Sequence, residues 1–233
     1  MTLFRNFSRA IVFSFVSLSV LSSARAEFVY LREDSIDTRG FPNPPVKASS
    51  EDASDLDGVV RIQSSRTRAE CKRATDESFA SLTSFYGLDH AILSRDELAA
   101  VNRLYIEVAR DSDEFIHSLK KTYRRVRPYL RDSRVSLCVP PPGGYSYPSG
   151  HATLGRVSAH VLALLFPNRA EALYRRGDEV GLDRVIGGVH HPKDIQAGRL
   201  LGDQVFSALK KSSEFMRRID EVRATLPRFD DRR

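Results

Sequence analysis

The chain lacks any alternating run of apolar and polar residues long enough for a half-buried strand, and it has neither an internal repeat nor a low-complexity tract. That leaves an all-α fold, a single-domain helical bundle. Its one markedly apolar run, Ala10 to Leu21, is interrupted by serines. It falls well short of the ~20 residues a bilayer span needs. No cysteine follows the run to carry a lipid, and no carboxylate cluster or histidine pair has metal-ligand spacing. Charge of one sign is also modest: +6 over 233 residues, of which Arg5, Arg9 and Arg25 carry three, so that residues 27–233 hold only +3. This is too little to argue for nucleic acid as a partner. Cysteine is scarce, with Cys71 and Cys138 alone. An oxidising compartment allows a disulfide worth about 4 kcal/mol on the loop-entropy model. Two buried, unpaired thiols are the other reading.

At 41% hydrophobic and 28% charged, the composition suits one globular domain with a sizeable core. Residues 1–26 stand apart. Arg5 and Arg9 precede the apolar run and Ala24-Arg25-Ala26 is a small-x-small cleavage pattern, so the segment reads as a secretory signal peptide. Its removal leaves 33 basic against 30 acidic side chains and a soluble product, periplasmic or secreted from a bacterium. Residues 27–65 are polar, carry Pro42, Pro44 and Pro45, and show no helical period, which predicts an irregular N-terminal arm. Residues 66–233 are then the helical domain.

Within that domain Thr67-Arg-Ala-Glu70 is a capping box, and Cys71, Ala74, Phe79, Leu82 and Phe85 follow one face of a five-turn helix ending at Gly87. Ser94-Arg-Asp-Glu97 opens a second helix, restarted or extended at Asp111, which Pro128 ends near Arg127. On that helix Lys120 and Arg127, seven residues apart, share a face. Leu154 to Leu165 mark an apolar helix stopped by Pro167, and Asn168 caps the next. Pro192 suits the first turn of a last helix through Leu209. Basic residues are dense from Lys120 to Arg134, which points to a local anion site. Lys121, Arg124 and Arg125 read as its solvated face. His90 and His117 read as surface or packing histidines, and Tyr145 and Tyr147 as packed residues of a Pro/Gly loop.

Three pieces carry chemistry: Lys120-x6-Arg127-Pro128, Pro148-Ser149-Gly150-His151, and Arg184-x5-His190-x3-Asp194. In this order they resemble the three-part signature of the phosphatidic acid phosphatase type 2 / haloperoxidase superfamily, and the wider match, with Tyr30-Leu31, Ser146-Tyr147-Pro148-Ser149-Gly150-His151 and Gly187-x-Val189-His190, is most similar to the soluble class A bacterial non-specific acid phosphatases. The resemblance extends from about Glu70 to Lys210. It implies an acid phosphatase that hydrolyses small-molecule phosphate monoesters without metal or other cofactor and is inhibited by vanadate. It implies His190 as nucleophile, Asp194 holding the other ring nitrogen, and His151 as general acid. Lys120, Arg127, Arg184, Ser149 and the Gly150 amide would bind the phosphate oxygens.

This sequence departs from the family at Asp183, where serine is usual. The expectation is that its carboxylate points outward or pairs with a cation. His191, where relatives often carry an aromatic, is expected to shape the pocket. The rival readings are a lipid or lipid-linked phosphatase at the membrane face, a vanadate-dependent haloperoxidase, and a non-catalytic phosphate binder. No stable membrane anchor is expected after cleavage, and a homo-oligomer is compatible with the sequence.

Overall fold

The structure is a computed structural model that describes residues 28–88 and 92–226. The signal-peptide segment 1–26 and His90 lie outside the described residues. Eight α-helices and no strand occur among those described: α1 (Ser50–Ser64), α2 (Arg68–Asp76), α3 (Leu82–Tyr86), α4 (Arg95–Tyr123), α5 (Gly150–Leu165), α6 (Ala170–Ile186), α7 (Pro192–Leu209) and α8 (Ser213–Thr225). The all-α expectation holds.

α5 is the central helix because it is apolar on nearly every side, with Leu154, Val157, Val161, Leu162 and Leu165 all buried. α6 and α7 pack directly on it. Two close approaches need glycine. A Cβ at Gly155 would stand 2.8 Å from the Gly177 carbonyl oxygen, and one at Gly177 2.6 Å from that of Gly155. On α7, a Cβ at Gly198 would stand 2.6 Å from the Ser149 carbonyl oxygen. The absent side chains let the N-terminus of α5 sit against the first turns of α7. The Ser149 N–H donates to the Asp194 carbonyl at 3.0 Å across that contact.

α4 is one continuous helix of 29 residues, about 43 Å long at 1.5 Å per residue. Asp111 does not restart it. Its buried carboxylate faces the N-terminal segment instead and accepts from the backbone N–H groups of Val29, Tyr30 and Leu31 at 2.6–3.0 Å. Residues 28–49 run over the domain with two short 3₁₀ turns, Glu33–Ser35 and Thr38–Gly40.

The structure corrects the sequence reading at six places. The arm expected over 27–65 ends early, because residues 50–64 form α1, capped by the Ser49 hydroxyl. Its hidden face carries Asp52 and Asp55 beside Val59, so burial there is not marked by hydrophobicity. The five-turn helix expected up to Gly87 is two helices, α2 and α3. The chain breaks at Glu77, whose buried carboxylate binds Arg176, Ser81 caps α3, and Phe79 is left exposed. α4 ends at Tyr123, where Arg124 takes a left-handed conformation (φ 48°). Arg127 therefore lies in extended chain beyond it and shares no helical face with Lys120. Arg125 is buried, not solvated. Asn168 lies inside a 3₁₀ turn, Pro167–Arg169, that precedes α6, and caps nothing. α8 carries Phe215, Ile219 and Val222 into the core beyond the last expected helix.

Cys71 and Cys138 form a disulfide, with Cα atoms 5.7 Å apart. It ties α2 to the loop between α4 and α5, and the Thr75 hydroxyl donates to the Cys138 carbonyl beside it.

Candidate active site

The turn from α6 to α7 folds around the Arg184 carbonyl, which accepts from the N–H groups of Val189 (3.1 Å) and His190 (3.2 Å). Gly188 supplies the left-handed step in that turn (φ 82°). Pro192 then opens α7 and puts Asp194 in its first turn, so His190 and Asp194 meet across one helix start. His190 Nδ1 lies 3.3 Å from Asp194 Oδ2.

The other face of the His190 ring meets Arg127, whose Nη1 is 3.2 Å from Nε2. A guanidinium can only donate, so Nε2 presents its lone pair and Nδ1 carries the proton directed at Asp194. Arg127 is itself aimed by three carbonyls: its Nε donates to Gly144 at 3.1 Å, Nη2 to Gly143 at 3.0 Å and Nη1 to Val189 at 2.9 Å. The Pro/Gly-rich loop before α5 thus serves as a cradle of acceptors for one arginine.

Lys120, near the end of α4, donates to the Tyr145 carbonyl at 2.7 Å. Arg184 donates to the Ala74 carbonyl of α2 at 3.2 Å, while its buried Nε has no hydrogen-bond partner. Ser149 caps α5, accepting from the Ala152 N–H at 3.3 Å, which leaves its hydroxyl proton free to donate. Gly150 is the first residue of α5, at the end where helix N–H groups lack partners. His151, one residue on, places Nε2 3.0 Å from the Glu77 carbonyl.

The electrostatics share one cause. Burial and the neighbouring Arg127 push the Lys120 ammonium down to about 7. Burial and Arg127 likewise lower Arg184 to about 10, and burial and Arg184 lower His151 to about 3. Burial depresses His190 far below the ordinary histidine value, with Arg127 and Lys120 adding to the effect, so its ring is neutral. Asp194 stays ionised, held well below the ordinary carboxylate range by its bonds to His190 and His191 against its own burial. Several cations are therefore crowded into desolvated space, where each disfavours the others' charge. Such a place is completed by an anion.

Asp183 adopts the paired arrangement. It is fully buried, and Arg73 of α2 grips it with two bonds of 2.7 Å. His191 is fully buried behind the site, with Nδ1 3.1 Å from Asp194 Oδ2 and Nε2 3.1 Å from Arg131 Nη1. It supports Asp194, and its ring lines no open pocket. His160 and Arg156 bind Asp203 away from these residues. Tyr147 is packed and donates to the Pro42 carbonyl. Two contributors escape sequence reasoning, Arg125 on Asp194 and Glu77 beside His151. The only signal for Arg125 was its place in a basic run that also holds exposed residues. Among the described residues no group of three metal-ligating side chains is placed to hold a metal ion.

Residues 108–213, which include Lys120, Arg127, Ser149, His151, Arg184, His190 and Asp194, match the model of the PAP2 superfamily. A non-specific acid phosphatase of Salmonella typhimurium is 40% identical over 114 residues, covering 47% of this chain and 45% of that protein. An acid phosphatase of Zymomonas mobilis is 27% identical over 192 residues, 78% of this chain and 72% of that one. An undecaprenyl-diphosphatase of Sulfolobus acidocaldarius is 37% identical over 87 residues, 37% and 42% of the two chains. The match thus spans about half the length of the Salmonella relative.

Proposed function

Because the chain carries a PAP2 superfamily domain, we propose that it is a phosphomonoesterase working through a phosphohistidine at His190. One observation carries the reading: a buried, neutral His190 presents its Nε2 lone pair to Arg127 while Asp194 faces its Nδ1. That is the arrangement a nitrogen nucleophile needs.

In the first half-reaction Nε2 attacks phosphorus, the P–O bond to the leaving group breaks, and His151 gives the departing oxygen a proton. In the second, His151 takes a proton from water, the hydroxide attacks phosphorus, and the P–N bond breaks to release inorganic phosphate. Lys120, Arg127 and Arg184, with Ser149 and the Gly150 amide, bind the three equatorial oxygens. These cations supply the electrostatic stabilisation, so the reading calls for no metal. Burial is the main reason His151 is low, and arrival of a phosphate dianion offsets the second cause, the Arg184 charge, raising its affinity for the proton it must donate. An acidic working range follows, since His151 must be protonated while the substrate stays anionic.

The Cys71–Cys138 disulfide supports an exported, periplasmic or secreted product, as such bonds persist in oxidising compartments. Hydrolysis of an aryl phosphate, inhibited by vanadate, unaffected by a chelator and lost in His190→Ala and His151→Ala, tests the reading. Undiminished rates in either variant would overturn it.

A lipid-linked phosphate is the second reading. Its support is a cavity of about 780 Å³ between the arm and the end of α4, lined by Lys47 and Arg124 and rimmed by exposed Val46, Val126 and Leu130. No helix among the described residues is long and apolar enough to cross a membrane. Co-sedimentation with anionic liposomes, and turnover of a lipid phosphate faster than an aryl phosphate, would favour this reading.

A further inference from the structure

Asp194 spends only one of its oxygens on the histidines. Oδ2 accepts from the His191 N–H at 2.8 Å and lies near both ring Nδ1 atoms, whereas Oδ1 is 2.7 Å from Arg125 Nη1. The other arm of Arg125 lies 2.8 Å from Asp55 and 3.1 Å from Asp52, two buried carboxylates of α1. Arg131 also grips Asp52 and donates to His191 Nε2. The α1 helix thus reaches His190 through two intervening side chains, Arg125 and Asp194. It is also locked to the start of α7, because Asp55 Oδ1 accepts from the Lys193 N–H at 3.0 Å.

The charge count of this cluster matters to the reaction. Three carboxylates face two guanidinium groups, a net charge of −1 behind a neutral His190 ring. Attack of Nε2 on phosphorus makes that ring cationic and brings the cluster to neutrality. A buried arginine with one acceptor can turn its plane, whereas one held by three carboxylates keeps its donor on Asp194.

We propose that Arg125, clamped by Asp52 and Asp55, is a positioning residue that fixes the orientation and charge of Asp194 and, through it, the Nδ1-protonated form of His190. The kinetic consequence rests on the phosphohistidine reading above. The effect on the ring does not, so the two are measured separately.

The test compares the full chain with Arg125→Gln, Arg125→Lys and Asp55→Asn, using 4-nitrophenyl phosphate kinetics and ¹⁵N NMR of labelled histidine rings. Partners that orient metal-ligating histidines are worth roughly 10–100-fold, and by analogy with them kcat of Arg125→Gln falls by about that factor with KM little changed. Loss of a nearby cation raises the proton affinity of His190, so the acid limb of kcat/KM moves to higher pH. Arg125→Lys recovers part of the loss. His190 changes from one tautomer to a mixture in Arg125→Gln and, to a smaller degree, in Asp55→Asn. Should Arg125→Gln fold poorly, the same-size Asp55→Asn carries the comparison. An unchanged tautomer with an unmoved acid limb in the folded variants overturns the proposal. A wild-type protein that turns over no phosphate ester overturns the phosphatase reading, while the ring spectra still decide whether Arg125 positions His190.

Discussion

Replacing Asp183 by serine, the residue usual in the proteins this chain resembles, tests whether the carboxylate beside Arg184 acts on the site or on the scaffold. Arg73 holds Asp183 by two bonds of 2.7 Å, and Asp183 has no exposed surface. Asp183 still favours the charge of the adjacent Arg184, but with Arg73 paired to it the field that an anion meets falls off faster than that of a lone carboxylate. The serine variant should bind inorganic phosphate with an affinity within about threefold of wild type, under 1 kcal/mol at 1.4 kcal/mol per decade. The cost appears in stability. Breaking a buried pair typically costs about 3–5 kcal/mol, but the orphaned Arg73 side chain is 41% exposed and regains water, so about 2–3 kcal/mol is expected here. At about 2–4 °C per kcal/mol for a domain of this size, Tm should fall by about 4–12 °C. Phosphate titration by calorimetry and thermal unfolding by circular dichroism measure the two sides. Phosphate binding tightened tenfold or more at unchanged Tm would show that the Asp183 charge is felt in the site and that its pairing is incidental.

Three further outcomes follow from the geometry. Lys120, lowered to about 7, carries its charge below that pH and loses it above, so phosphate affinity should fall as pH rises through 7. Lys120→Arg should flatten that fall in a pH series of phosphate binding. Gly198→Ala puts a methyl group 2.6 Å from the Ser149 carbonyl oxygen and should destabilise by about 1–3 kcal/mol in urea unfolding, lowering kcat as the start of α5 shifts. Cys71→Ser with Cys138→Ser opens a loop of 67 residues and should cost about 4 kcal/mol in the same assay. It should also weaken phosphate binding, because α2 carries the Ala74 carbonyl that holds Arg184.

The parts of this protein legible in its sequence are those where one residue type does one job. Ser94 and Glu97 announce the start of α4, Pro192 announces α7, and the apolar run from Leu154 to Leu165 announces the central helix. His190, Asp194 and Arg127 are legible for the same reason, since each chemistry demands its own side chain at a set spacing. What stayed hidden depends on partners distant in the chain. α1 turns carboxylates inward, and they are satisfied only by Arg125 and Arg131, 73 and 79 residues further on. Arg124 and Arg125 are adjacent and alike in composition, yet one is an exposed helix cap and the other a buried clamp. Glu77 breaks an otherwise continuous helical pattern because Arg176, 99 residues away, holds it. Helical periodicity puts Arg127 on α4, whereas its position beside His190 depends on the carbonyls of Gly143, Gly144 and Val189 and not on a helical face.

If the Nε2 lone pair of His190 takes the phosphoryl group, as proposed above, a phosphohistidine must form there during turnover. The direct measurement is rapid acid-free quenching of the protein during turnover of an aryl phosphate, with the phosphorylated residue located by mass spectrometry and its N–P bond by ³¹P NMR. The expected result is a phosphoryl group on His190 that is stable to base and labile to acid. This species should accumulate in His151→Ala, where a leaving group needing no proton still departs but water is not activated. Phosphate on another side chain, or turnover with no phosphoenzyme at His190 in either protein, would contradict the proposal.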